Sequence, residues 1–179
     1  MEKKPFDALE RASEIAQAVP KGMLFTTKTA GEVNTMVIGW GHVGFVWNKP
    51  AFVAYIRTSR HSHELVEQSG EFTINIPRGA MRKDIFAMAG RQSGRNVDKV
   101  AELGLTLVDA EVVDTPAVLE CPITLECKVI YKQLLDGELP EDIVERFYPA
   151  DVADVDAGGN CYRHVMYVGE IVAAYEIEE

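Results

Sequence analysis

The six residues Arg57-Thr58-Ser59-Arg60-His61-Ser62 put two guanidinium groups, three hydroxyls and an imidazole on one short polar turn. Guanidinium forks and hydroxyls give charge-assisted hydrogen bonds to phosphate oxygens, so the chemistry this turn suits is the grip of an anion. A second loop, Arg91-Gln92-Ser93-Gly94-Arg95-Asn96, followed by Lys99, has a similar composition. Two basic loops flanking apolar strands would serve a phosphate-bearing ligand whose remainder is a flat ring laid on the strands. Residues 57 to 99 hold eight basic against five acidic side chains, a balance of +3, whereas residues 100 to 179 hold four against 18, a balance of −14. A basic window in an acidic chain is where an anionic ligand is tolerated, although for any single arginine the ordinary reading is a solvated surface charge.

Other patterns in the chain carry less. Gly39-Trp40-Gly41-His42-Val43-Gly44 spells G-x-G-x-x-G, but Pro50 leaves no room for the helix a dinucleotide-binding unit needs. The glycines are therefore expected to mark a twisted strand end or bulge. His61 and His63, if on a strand, would share a face and could start a metal site. No third ligand is close in sequence, His42 and His164 being remote, and no metal is expected. Ser59, Ser62 and Ser93 lack a G-x-S-x-G elbow or a paired His and Asp, so no catalytic acid, base or nucleophile is assigned. Cys121, Cys127 and Cys161 fit no zinc spacing and read as small core residues. The acidic run Asp151 to Gly159 lacks the spacing of a calcium loop.

Apolar runs must position these groups. Thr35 to Trp40 and Ala51 to Ile56 read as strands, followed by a helix from Ser62, its expected cap, to Gln68, and by a half-buried strand, Glu71 to Ile76. Upstream, Phe6, Leu9, Ala12, Ile15, Ala16 and Val19 recur at helical spacing until Pro20, and a hairpin is expected from Gly22 to Thr29 and Val33 to Trp40. Ala80 to Leu103 reads as helical with a break at Gly90 to Gly94, Ile123 to Gln133 as a long strand and Glu141 to Phe147 as a helix. His164 to Ile177 is apolar on both faces, which implies that a second subunit covers its outer side. With 179 residues and 47% hydrophobic content, the whole chain, 1–179, is expected to form a single domain. Many short strands without strict βα alternation point to a mainly β fold, a closed or nearly closed antiparallel Greek-key barrel with added helices. A net charge of −10 argues against a nucleic-acid partner. No 18-residue apolar run or signal peptide is present, so no membrane partner and a cytoplasmic location are expected.

Taken in order, NTMVIGW, KPAFVAYIR, TSRHSHELVEQSGEFTINIP and SGRNVDK resemble the flavin reductase-like family, flavoredoxin-type proteins included, most clearly from about Met23 to Lys99. The resemblance implies an FMN-binding split β-barrel, a homodimer and a noncovalent FMN. On that basis the phosphate would sit against Arg57, Ser59, Arg60 and Ser62. The flavin ring would lie along Asn34, Thr35, Met36 and Val37, with Trp40 or Tyr55 as apolar neighbours. Ser93, Gly94, Arg95 and Lys99 would approach from the second loop. The family's usual turn has Pro, Tyr and Thr where this chain has Thr58, His61 and Ser62, and often Thr where it has Val37, so a hydroxyl that could bond the ring is missing here. The implied activity is transfer of hydride from NADH or NADPH to flavin and on to an acceptor, chemistry that the cofactor rather than the protein supplies. The alternative is a non-enzymatic FMN-binding electron carrier, with the acidic second half docking a basic redox partner.

Overall fold

Short apolar runs separated by turn residues become strands in the computed structural model, which describes residues 1–153 and 159–178. In chain order the elements are β1 (Glu2–Pro5), α1 (Ala12–Ala18, continued by a 3₁₀ turn, Val19–Lys21), β2 (Met23–Thr29), β3 (Glu32–Ile38), β4 (Gly41–Val46) and β5 (Lys49–Arg57). They continue with α2 (His61–Ser69), β6 (Glu71–Ile76), α3 (Lys83–Arg91), α4 (Lys99–Leu103), β7 (Leu107–Val108), β8 (Ala117–Val118), β9 (Ile123–Leu134), α5 (Glu141–Phe147) and β10 (His164–Glu178). No helix among the described residues is long and apolar enough to cross a membrane.

The main sheet runs β3-β2-β6-β9-β10-β5-β4, antiparallel throughout. At 15 residues, β10 pairs with β5 from His164↔Arg57 to Glu170↔Ala51, and its far end pairs with β1. Gly169 lies beside a register shift in β10, where a Cβ would come 2.5 Å from the Phe72 ring, so only glycine lets the strand press on the core at this bend. The interior is apolar, with Phe25 stacked on Phe72 at 4.8 Å between ring centroids. A second cluster, including Leu24, Ile85, Ala89 and Leu103, fixes α3 and α4 to the outside of the sheet. The terminal strands β3 and β4 are not hydrogen-bonded to each other, so the barrel is split between β3 and the β4–β5 hairpin. Both basic segments reach that split.

Several expectations are corrected. The N-terminal helix begins only at Ala12, because Glu2–Pro5 is a strand on the edge of β10, and Pro20 lies in the 3₁₀ turn, where its missing N–H costs little. From Gly41 the stretch Gly39 to Gly44 is part of a full strand, β4, and no strand end or bulge, and it is joined to β5 by a turn with positive φ at Trp47 (50°) and Asn48 (60°). Strand β6 is buried on both faces, since Thr73 and Asn75 lie under segments that cover the sheet's outer side. Ser62 sits inside α2 instead of capping it, Arg60 holding the cap position. Cys121 and Cys127 are buried in the core, burial raising the Cys121 thiol to about 12, and Cys161 is partly exposed. The acidic run is described only in part, residues 154–158 lying outside the described residues.

Candidate functional site

The turn after β5 is locked by its own backbone, Arg60 N–H donating to the Arg57 carbonyl and His63 N–H to that of Arg60, each at 2.9 Å. Its two arginines then diverge. Arg57 donates to the carbonyls of Phe147 (3.1 Å), Asn160 and Tyr162 (2.8 Å), and its guanidinium lies over the Tyr148 ring at 5.2 Å. A guanidinium occupied in this way clasps the segment before β10 to the barrel. Arg60 makes no side-chain hydrogen bond or ion pair among the described residues, and burial lowers its pKa. Its charge faces into the split.

Strand β3 presents alternate residues to this turn. Asn34 is buried and its amide donates to Ser62 Oγ at 2.7 Å, and Met36 follows on the same side. Thr35 points the other way, accepting a hydrogen bond from Thr26 Oγ1 at 3.0 Å in a buried polar cluster, so its side chain is not brought to the site. Val37 packs with the outer cluster and borders the slot described below. Ser59 is buried, its hydroxyl 3.3 Å from the Gly159 carbonyl.

Arg91 to Lys99 closes the other side. Ser93 and Gly94 line the cavity, whereas Arg95 is tied to the Ser59 carbonyl (3.0 Å) and to Glu64 (2.6 Å). Helix α4 starts at Asp98, whose carboxylate accepts from Val100 N–H (3.0 Å) and Ala101 N–H (3.1 Å), and this cap sends Lys99 inward. Only 3% of Lys99 is exposed, and among the described residues its ammonium has a single long hydrogen bond, 3.4 Å to the Gln92 carbonyl. Burial and then the Arg60 charge lower its pKa to about 8.

Two neighbouring spaces result. A cradle of about 20 Å³ lies between the turn and the loop, next to Arg60 and Lys99. A slot of about 180 Å³ shares Met36 and Arg60 with it and is walled by Met36 to Trp40, Tyr55, Phe147 and His164, with Arg57 and Arg60 at its polar end. Among the described residues no carboxylate lines either space, although the protein carries ten more acidic than basic side chains. His164 Nδ1 lies 2.8 Å from Tyr148 Oη, and its ring is 4.8 Å from that of Trp40. Burial, then the Arg57 and Arg60 charges, push its pKa down to about 3, so the imidazole is neutral near pH 7. Sequence spacing gave no role to His164 or Phe147. Antiparallel register places His164 opposite Arg57, and α5 sets the Phe147 ring edge-on against Trp40. His61 and His63 sit in the first turn of α2 rather than on a strand and turn apart, His61 to Glu32 and Glu64 and His63 to Tyr167.

A protein of Archaeoglobus fulgidus is 39% identical over 80 residues, 45% of this chain and 44% of that protein, so the match spans less than half of that relative's length. Among solved structures, a flavoredoxin from Methanosarcina acetivorans superposes with a TM-score of 0.64 at 25% identity, covering 88% of this chain and 68% of that one. A flavoredoxin of Desulfovibrio vulgaris gives 0.64 at 26% identity, covering 88% and 69%. The Flavin reductase like domain matches residues 17–179, from the end of α1 through β10. With its split antiparallel barrel and the two basic segments meeting at the split, the chain belongs to the flavin reductase-like family.

Proposed function

We propose that this protein binds FMN noncovalently at the split of the barrel and works as an NAD(P)H-dependent flavin oxidoreductase. FMN is the cofactor the family implies, and the chemistry of the residues fits it. The observation that carries the reading is the pair Arg60 and Lys99, cations that face one cavity and have no acidic partner among the described residues. Burying charge without a partner costs stability, and a phosphate offsets that cost when it binds. Arg60 and Lys99 would hold the phosphate, with hydroxyls from Ser62 and Ser93 at the cradle wall. The slot along Met36 to Trp40 would take the ring, Trp40 and Tyr55 supplying apolar contact and backbone groups the polar contacts that Val37 cannot make. Bound FMN supplies the redox chemistry, accepting two electrons and a proton from a reduced nicotinamide and passing electrons to an acceptor. His164, neutral and fixed through Tyr148, places no charge against the slot. Arg57 serves this site indirectly by holding Phe147 and the segment that follows.

The test is an absorbance spectrum with and without added FMN, then anaerobic addition of NADH and of NADPH. Flavin that binds and bleaches with either nucleotide is the expected result, and failure to bind FMN would sink the proposal. The similarity to two flavoredoxins and the acidic second half favour a second reading, an electron carrier that takes its electrons from a protein partner. That reading predicts bound flavin that bleaches with dithionite and with neither nucleotide.

A homodimer belongs to the same proposal. Trp47 (61% exposed) and Tyr131 (42%), whose rings meet at 5.9 Å, border an outward apolar cluster in which Val46, Tyr55, Ile130 and Met166 lie partly buried over Val53 and Val168, a surface a second copy would cover. Light scattering at micromolar concentration should give twice the chain mass, and a monomer would count against the proposed interface.

A further inference from the structure

The two segments that form the cradle are tied together by side chains that do not line it as cations. Arg95 Nη2 donates to Glu64 Oε1 at 2.6 Å, and Nη1 donates to the Ser59 carbonyl at 3.0 Å. The other oxygen of Glu64 lies 3.0 Å from His61 Nδ1, and His61 Nε2 lies 2.6 Å from Glu32 Oε1. One polar chain therefore joins the start of β3, the first turn of α2 and the loop before α4. Beneath it Gly94 presses on Asn34 so closely that a Cβ would stand 2.2 Å from Oδ1. The cradle bounded in this way is a narrow, partly open space with the loop carrying Gly94 as one wall. Movement of the loop carrying Gly94 widens or narrows this space, and the contacts of Arg95 to Glu64 and to the Ser59 carbonyl oppose that movement.

We propose that Arg95 and Glu64, braced by His61 and Glu32, form a latch that sets how fast FMN exchanges. This inference rests on the phosphate occupying the cradle, and it makes Arg95 a positioning residue instead of a phosphate ligand. The latch is suited to reversible opening, because Arg95 and Glu64 are 31% and 48% exposed and a pair so hydrated is weak and screened by salt. Closed, it blocks the cradle before binding and retains the cofactor afterwards. Weakening it therefore speeds arrival and departure together.

The experiment is stopped-flow flavin fluorescence on the full chain, comparing the natural protein with Arg95→Gln, Glu64→Gln and the double variant. Association and dissociation rate constants should both rise about fivefold in each single variant, the factor expected for a pair worth about 1 kcal/mol. The FMN Kd should stay within about twofold, and the double variant should match either single one. Arg95→Lys, which keeps a cation within reach of Glu64, should recover part of the slow exchange. Faster dissociation with unchanged association, and a Kd weakened to match, would make Arg95 a phosphate ligand and overturn the latch. Unchanged rates in variants with natural thermal midpoints would overturn it too, leaving the flavin site intact. Absence of FMN binding by the natural protein would remove the underlying reading before any variant is compared.

Discussion

Glu126 and Lys99 are both charged side chains carried into the interior, and their surroundings are opposite. Glu126, on the central strand β9, is fully buried and accepts three backbone N–H groups, from Glu111 (2.7 Å), Val112 (2.7 Å) and Val113 (3.1 Å). Its carboxylate is satisfied by the loop it organises, and nothing further needs to bind there. Lys99, at the split, has one long contact to a carbonyl and a second cation, Arg60, for a neighbour. Charge that folding itself satisfies is architecture, and buried charge left without an opposite partner marks where a ligand of opposite sign completes the structure. The same distinction separates neighbours within each basic segment, since Arg57 and Arg95 are held by several carbonyl or carboxylate contacts, while among the described residues Arg60 has no such contact and Lys99 only one long one.

The sharpest way to break this contrast is Glu126→Ala, which removes the acceptor of three backbone N–H groups, that of buried Val113 among them. Stability should fall by about 3 to 5 kcal/mol, read from urea unfolding, while FMN affinity of the folded protein stays within about twofold. A loss below about 1 kcal/mol would show that Glu126 does not organise its loop. Arg60→Ala should do the reverse, weakening FMN binding by on the order of 1.5 to 3 kcal/mol with stability held or raised. Unchanged affinity in the folded variant would remove Arg60 from the phosphate site.

Lys99→Met should also weaken FMN binding, and without the cofactor it should unfold at higher temperature than the natural protein, because a buried unpaired ammonium has gone. The pH dependence sharpens this. The Lys99 pKa falls from its ordinary 10.5 to about 8 in the folded chain, so between those values the unfolded chain binds a proton that the folded chain lacks. Stability of the FMN-free protein should therefore gain from Lys99 as pH rises from 8 to 10.5 and lose that contribution as pH falls through about 8. FMN affinity should move the other way, declining as pH passes 8 and the ammonium discharges. Titrations across this range should lose the Lys99 contribution in Lys99→Met, and an unchanged profile would exclude Lys99. The smallest effect is expected from Val37→Thr, which returns a hydroxyl to the edge of the slot. FMN affinity should improve by about 0.5 to 1.5 kcal/mol if the hydroxyl reaches the ring, and isothermal titration would show no change if it does not.

Much of the architecture is legible in the chain because it depends on local patterns. Alternation wrote β6 and β9, Gly70 in the left-handed region stopped α2, and the composition of residues 57 to 62 and 91 to 99 marked the two basic segments that meet at the split. β1 is not legible in the sequence because three charged residues and a proline gain strand structure only from the edge of β10. The half-buried look of β6 misled because its polar face is covered by loops from elsewhere in the chain.

Within the site, the sequence by itself determined which residue types would be gathered: arginines, a lysine and hydroxyls on two loops flanking an apolar strand. Only the tertiary structure decided which of those cations remained available. Arg57 finds its carbonyl partners 90, 103 and 105 residues away, and Arg95 reaches Glu64 across 31. A side chain's hydrogen bonds are made with whatever the fold brings within about 3 Å, and two arginines three positions apart on one turn carry nothing locally that could tell them apart.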